Sequence, residues 1–437
     1  MKITFVYPRI SYFYDQTPYP PLGIGYLAAS IQGLANAIDC VDGQILNKDG
    51  YEQAVSKINS DVVCISATLP QMKEACRVAD EVKTNQPSTQ VVIGGYGPNS
   101  LLAQDVFQMG KFDIFVKGEG EITLSRVINC LRRGEDLKNV PGIVFVRDGK
   151  LIPTGINPDL PEIDSLPLPK RELFDIPLYL ETWKRNVGIS SLHMFASRGC
   201  PFSCTFCDKM VTGKIYRSRT PESVVDEMQQ LWQQYQPDDI FLFDDLFTLR
   251  RERVLQVCHE IKRRFLSFKW STQGKVGMVD MEVLAALKDA GCTELYFGVE
   301  SGSNKILSFF KKGFTREQVM KTFASCHEVG LKAGAYLIVG VPGETKEDID
   351  LTIDLIKTIK PSLLNLSFLI PFPNTQLYKD TAKWIGKKDW SEWDFLTKKI
   401  YEYPFEIDPS VSRQRIFDAY KHLIEEGMEY STYQLLR

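Results

Sequence analysis

Residues 197–209 read SRGCPFSCTFCDK, which sets Cys200, Cys204 and Cys207 within one short loop. The loop follows a brief apolar run around His193 that has the length and composition of a strand. The chain holds ten cysteines, and the other seven (Cys40, Cys64, Cys76, Cys130, Cys258, Cys292, Cys326) lie scattered in apolar or helical contexts, where a cysteine behaves as a small buried hydrophobe. A loop at the carboxyl end of a strand is where α/β folds place their chemistry.

Three thiolates so closely spaced suit three irons of a cubane [4Fe-4S] cluster, whose fourth iron then lacks a protein ligand. An open coordination position on a metal is the signature of a catalytic site, and its natural occupant here is a chelating group of a small molecule. Two other readings compete. A structural zinc ion wants a fourth Cys or His at matching spacing, and the nearest, His193, sits on the strand itself. Three unrelated buried thiols are the other.

Downstream of the loop, strand-like runs recur near Asp239, Lys269, Glu294, Lys332 and Leu363, with helical periods between them. Together with the run at His193 this predicts an open, partial (β/α)6 barrel over residues 191–374, since six units are too few to close the eight-stranded form. Upstream, KITFVY from Lys2, DVVCIS from Asp61, QVVIGG from Gln90 and FDIFVKG from Phe112 alternate with amphipathic stretches such as Met72 to Val82. Continuous β-branched runs belong to strands covered on both faces, so residues 1–140 read as a doubly wound parallel sheet. Residues 141–190 read as a hairpin turning at Asp148-Gly149, followed by a proline-punctuated linker (Pro153, Pro158, Pro161, Pro167, Pro169). Residues 375–437 read as a small helical region with Trp384, Trp390, Trp393 and an amphipathic helix around Ser412 to Tyr430, which is expected to close one end of the barrel. The fold class is therefore α/β.

Apolar residues make up 44% of the 437 and charged ones 24%, with a formal net charge of -3. No basic footprint for a nucleic acid backbone is present, so a small-molecule substrate is the expected partner. The N-terminus lacks the pattern of a signal or transit peptide, and no apolar stretch reaches the length of a membrane span, which predicts a soluble, cytoplasmic protein.

CxxxCxxC with Phe206 beside the last cysteine resembles the radical S-adenosylmethionine (SAM) superfamily. The resemblance continues through FLFDDLFT from Phe241, ELYFGVESGS from Glu294, GLKAGAYLIVGVPGET from Gly330 and NLSFLIPFPNT from Asn365. It implies an enzyme in which SAM chelates the open iron and one electron from the cluster splits it to methionine and a 5'-deoxyadenosyl radical. A flavodoxin or ferredoxin-type donor supplies that electron. The resemblance places Asp244 and Asp245 at the methionyl group and Ser271, Gln273 and Lys275 at the cofactor carboxylate or ribose. It places Glu300 at the ribose or amine, and Tyr336, Val339, Gly340, Phe372 and Pro373 around adenine. Without it, Asp244-Asp245 reads equally as a helix N-cap, and Glu300 as a cap for the helix near Asn304.

The first domain resembles the cobalamin-binding domain that precedes the barrel in a large subgroup of this superfamily. PPLGIGYLAASIQ from Pro20, ISAT from Ile65, VVIGGYGP from Val91 and VKGEGE from Val116 carry the likeness. Cobalamin would then lie against Leu22, Gly23, Ser66, Thr68, Gly94, Gly95, Gly118, Glu119 and Gly120, the glycines letting backbone approach a large ligand. The DxHxxG signature of cobalamin mutases is missing and no histidine precedes His193, so a bound corrinoid would lack a protein histidine ligand. Where relatives often carry histidine, this chain has Tyr96. The subgroup implies a methyltransferase acting on an unactivated carbon, with dehydration, cyclisation or rearrangement without cobalamin as the alternative. The aromatic run Tyr12, Phe13, Tyr14 and Tyr19 is expected to cap the cavity.

Overall fold

The computed structural model describes residues 1–10, 17–386, 389–393 and 406–426. Tyr12, Phe13 and Tyr14 fall outside the described residues, as does the chain beyond 426. Two compact units emerge, one built from Met1–Thr182 with Asp208–Gly213 and Asp389–Trp393, the other from the remaining described residues.

In the first unit seven strands form one sheet: β1 (Lys2–Tyr7), β2 (Ala37–Asp42), β3 (Val62–Ser66), β4 (Gln90–Gly94), β5 (Ile114–Val116), β6 (Ile143–Arg147) and β7 (Lys150–Pro153), in the order β2-β1-β3-β4-β5-β6-β7. The first five are parallel, and β5-β6-β7 are antiparallel. Val62, Val63, Val91, Ile93 and Ile114 are almost wholly shielded from solvent because helices cover both faces, as β-branched runs without alternation require. The strand order reverses between β1 and β3, and at such a reversal the adjoining loops part at the carboxyl ends to leave a crevice.

The second unit carries β8 (Ser191–Met194), a two-residue ladder of β9 (Ser197–Arg198) with β10 (Arg217–Ser218), and then β11 (Asp239–Leu242), β12 (Trp270–Gly274), β13 (Cys292–Glu300), β14 (Lys332–Val339) and β15 (Leu364–Phe368). The six longer strands form one parallel sheet in sequential order, β8-β11-β12-β13-β14-β15, the curled half-barrel that the sequence predicts. Ile240 and Leu242 point outward and are completely buried beneath the helices, while Asp239, Phe241 and Phe243 alternate onto the inner face. The helix Pro409–Glu425 packs against the helix Lys346–Ile359 and against β15. It therefore lies beside the last strand, and Asp389–Trp393 groups with the first unit.

Two sequence expectations differ from this organisation. The hairpin is not part of a linker: β6 pairs with β5 and extends the first sheet, and the helix Ile176–Val187 follows the prolines. Strand β2 was not legible, because AIDCVD is an edge strand that interleaves aspartates with apolar residues and is buried only at its end. Among the described residues no helix is long and apolar enough to cross a membrane.

Candidate functional site

The cysteine loop is closed at its base by the β9-β10 ladder, in which Arg217 opposes Arg198 and Ser218 opposes Ser197. Its far side is pinned by backbone: Thr205 N–H donates to the Phe310 carbonyl at 3.1 Å, and Leu377 N–H donates to the Thr205 carbonyl at 2.9 Å. Phe206 meets Phe310 edge to face at 4.9 Å between ring centroids, inside a small core of Ile306, Val341, Leu369 and Leu377. None of the three cysteines is in a disulfide; Cys200 and Cys204 are half-buried and Cys207 is exposed. By contrast, burial pushes the thiols of Cys64, Cys76, Cys258 and Cys326 up to about 12, which keeps them protonated and inert.

Among the described residues no three His, Cys, Asp or Glu side chains converge on one ion position. A cubane asks for something else, one thiolate at each of three separate irons, and three thiols outside any disulfide on one constrained loop fit that demand. Two ammonium groups face them. Lys275 Nζ lies 4.7 Å from the Phe202 ring and 4.5 Å from that of Phe314, and its pKa is lowered by burial and then by Lys312, against the pull of Cys204 and Cys200. Lys312 loses through burial, but the carboxylate of Glu300 and the sulfurs of Cys204 and Cys207 outweigh that loss and raise its pKa.

Glu300 ends β13 at φ +67°, a left-handed conformation that a glutamate adopts only when its surroundings impose it. A register shift between Gly298 and Glu300 sets this geometry. The carboxylate accepts a hydrogen bond from Lys312 Nζ at 2.8 Å, and the pair is buried. A Cβ on Gly298 would stand 2.5 Å from Glu300 Oε1, so glycine there is what makes room for the pair.

The adjacent aspartates brace the loop. Asp244 is buried and accepts from Ala196 N–H at 2.7 Å and Ser197 Oγ at 2.5 Å; burial raises its pKa, opposed by the Arg253 charge. Asp245 accepts from Gly199 N–H at 2.8 Å, next to Cys200. Both carboxylates are thus bonded to the strand and turn that present the cysteines, a use the sequence did not suggest. Ser271 lies low on β12 and donates to buried Asp239 at 2.8 Å, away from the strand end. Gln273 bonds the hydroxyl of Tyr336, and Tyr336 stacks on Tyr296 at 5.9 Å with 15° between planes. Val339 is buried, Gly340 N–H donates to Glu344 at 3.0 Å, and Phe372 and Pro373 are half-buried in the turn after β15.

In the first unit, Ser66 ends β3 and Gly94 ends β4, beside the strand-order reversal. A Cβ on Gly95 (φ +94°) would come within 2.8 Å of the Ala67 carbonyl oxygen, and one on Gly97 within 2.5 Å of Thr68 backbone, so these turns are packed backbone to backbone. Thr68 caps its own turn, with its hydroxyl on Gln71 Oε1 at 2.8 Å. Gly118 N–H donates to Asn99 Oδ1 at 2.9 Å, and Glu119 is the buried N-cap of the helix Gly120–Arg133. A Cβ on Gly120 would meet Leu27 at 2.8 Å; Leu22 is buried and Gly23 is open to solvent.

Sequence reasoning missed Lys312, Gly298 and Gly97. The signal for Lys312 is only its place twelve residues after Glu300, and nothing short of the folded turn reveals the contact.

Comparisons with known proteins agree with this geometry. The family model described as the radical SAM superfamily matches residues 194–356, and that described as the B12 binding domain matches residues 15–128. The chain is 30% identical over 385 residues to an uncharacterized methyltransferase of Pyrococcus horikoshii, covering 87% of this chain and 83% of that one. It is 24% identical over 476 residues to the anaerobic magnesium-protoporphyrin IX monomethyl ester cyclase of Rubrivivax gelatinosus, covering 100% of this chain and 85% of the cyclase. Among solved structures, the radical SAM methyltransferase TsrM from Kitasatospora setae, with cobalamin and a [4Fe-4S] cluster bound, aligns with a TM-score of 0.71 and 19% identity over 87% of this chain and 78% of that one. The cobalamin-dependent SAM radical enzyme OxsB aligns with a TM-score of 0.69 and 18% identity, over 97% of this chain and 61% of that one. At such identities the two structures speak for the fold.

Proposed function

Because the chain belongs to the radical SAM superfamily and carries a B12-binding domain, we propose that it methylates an unactivated carbon of a small metabolite. When bound, the [4Fe-4S] cluster supplies the electron that splits SAM to methionine and a 5'-deoxyadenosyl radical, and cobalamin supplies the methyl group. The protein's part is to hold and orient. Cys200, Cys204 and Cys207 would hold three irons, and Asp244 and Asp245 would keep their loop in place through Ala196, Ser197 and Gly199. Glu300, with Lys312 fixing its carboxylate, would take the cofactor's amine or ribose hydroxyls, charge-assisted bonds that orient as well as bind. Lys275 would meet the cofactor carboxylate, and Gln273 with Tyr336, Gly340 and Phe372 would line its nucleoside end. In the first unit Leu22, Gly23, Ser66, Thr68, Gly94, Gly95, Gly118, Glu119 and Gly120 would accept the corrinoid at the strand-order reversal. A flavodoxin or ferredoxin-type protein would deliver the electron.

The observation that carries this reading is the trio of thiols outside any disulfide on a braced loop at the mouth of a parallel half-barrel, beside a buried Glu300-Lys312 pair. Anaerobic reconstitution with iron, sulfide and hydroxocobalamin tests it: a corrinoid absorption band, release of 5'-deoxyadenosine on reduction and transfer of isotope from the SAM methyl group to product are expected. Deoxyadenosine without a corrinoid band would instead select the alternative, a cyclisation, dehydration or rearrangement. That alternative is favoured by the cyclase among the relatives and by Thr68, whose hydroxyl is spent on its own turn.

A further inference from the structure

The inner face of the half-barrel carries a continuous belt of rings. His193 meets Phe195 and Phe243, each at 6.0 Å and edge to face; Phe243 meets Phe241 at 5.4 Å; Phe241 meets Tyr296 at 5.7 Å; and Tyr296 stacks on Tyr336 at 5.9 Å. The strand registers put them on one face, with Phe241 opposite His193, Tyr296 opposite Gln273 and Tyr336 opposite Gly298 and Asn365. In a closed barrel such rings would be core. Here the sheet stops at six strands, and Phe243 remains 47% exposed at the carboxyl end of β11, with Phe195 and Tyr336 half-buried.

Polarity is graded along the same face. Beneath the rings lie the buried carboxyls of Asp239, held by Ser191 and Ser271, and of Glu294, held by Tyr296 and Ser362. Beside them Gln273, Asn365 and Ser367 offer neutral donors and acceptors. Besides the His193 imidazole within the belt, the six strands hold one lysine and no arginine: Lys332, exposed at the opposite, amino end of β14. Lys275 and Lys312 stand at the rim and face the cysteines.

We infer that the molecule whose hydrogen is abstracted is planar and conjugated, without a phosphate group, and lies flat against Phe243 and Phe195, leaving Tyr336 and Gln273 to the nucleoside end of the cofactor. The inference rests on the radical reading for its location and on the belt alone for its class. Ring faces reward a flat conjugated partner through offset or edge-to-face contact beyond the area buried. A phosphate on that face would meet buried carboxyl groups below it and no lysine or arginine at its level, a costly arrangement.

The test uses the anaerobically reconstituted holoprotein and a matched set of probes: 2-naphthol, its saturated and non-planar counterpart decahydro-2-naphthol, and 2-naphthyl phosphate, by equilibrium dialysis. Tighter binding of 2-naphthol than of either other probe, by about tenfold, is expected, as is a loss of that preference in both Phe243→Leu and Phe243→Ala. Equal binding of the two alcohols, tighter binding of the phosphate, no measurable binding of 2-naphthol, or an undiminished preference in a Phe243 variant that melts as the wild type does would each overturn it. Should both variants fail to fold, the order of the three probes on wild-type protein decides. Deoxyadenosine release by the same preparation without any probe reports separately on the radical reading.

Discussion

Replacing Lys312 by methionine strips Glu300 of its counter-ion while keeping the length of the buried stem. The pair is separated by 2.8 Å, with side chains 10% and 8% exposed, so little water screens it. At an effective dielectric of about 20 the attraction is about 6 kcal/mol, most of it offset by the desolvation of the two ions. Removing one partner leaves that desolvation uncompensated, so Lys312→Met should cost about 3–5 kcal/mol of stability. The double variant Lys312→Met/Glu300→Gln buries no charge and should recover most of that, returning to within about 1 kcal/mol of wild type. Chemical denaturation of wild type, Lys312→Met, Glu300→Gln and the double variant at one pH reads the cycle. Separately, Glu300→Gln, losing a charge-assisted contact, should weaken SAM binding about tenfold or more. A single substitution costing under about 1 kcal/mol, or a double variant no better than the single, would refute the view that the pair is a coupled buried unit.

Burial lifts Asp239 from an ordinary 3.8 to about 7, so the folded chain keeps a proton that the unfolded chain has released. Stability should therefore fall as pH rises from about 4 to about 7, by roughly 4 kcal/mol relative to Asp239→Asn, whose profile lacks this component; a rising difference would contradict the assignment. Cys204→Ala should lose iron-sulfur absorption and deoxyadenosine release, whereas Cys326→Ala, on the buried side of the helix Arg316–Val329, should keep its iron content, as direct iron analysis would show. Gly95→Ala drives a Cβ to within 2.8 Å of the Ala67 carbonyl at φ +94°, and should lower the melting temperature by about 5 °C and release the corrinoid on gel filtration.

The sequence made legible what local chemistry writes directly. β-branched runs at Val62, Val91 and Ile114 announced buried strands, and Cys200, Cys204 and Cys207 announced their loop by spacing alone. Asp244, Asp245 and Ser271 were picked out by the family resemblance, but their oxygens are bonded to Ala196, Ser197, Gly199 and Asp239. Which partner a polar side chain takes depends on neighbours some 32 to 48 residues away, and no pattern in the chain encodes that. The same holds for the aromatic belt: each ring reads as ordinary core until strand register shows that the six share a face left open.

The antiparallel hairpin that continues the first sheet has a consequence for anyone who cuts this gene. A fragment ending at residue 140 would stop at β5, only three residues long, and leave its outer backbone amides and carbonyls bare as a template for self-association. Carried through Pro153, the same fragment ends on a short strand bearing Lys150 and a proline, which discourage an additional partner. The longer piece should remain monodisperse where the shorter one precipitates.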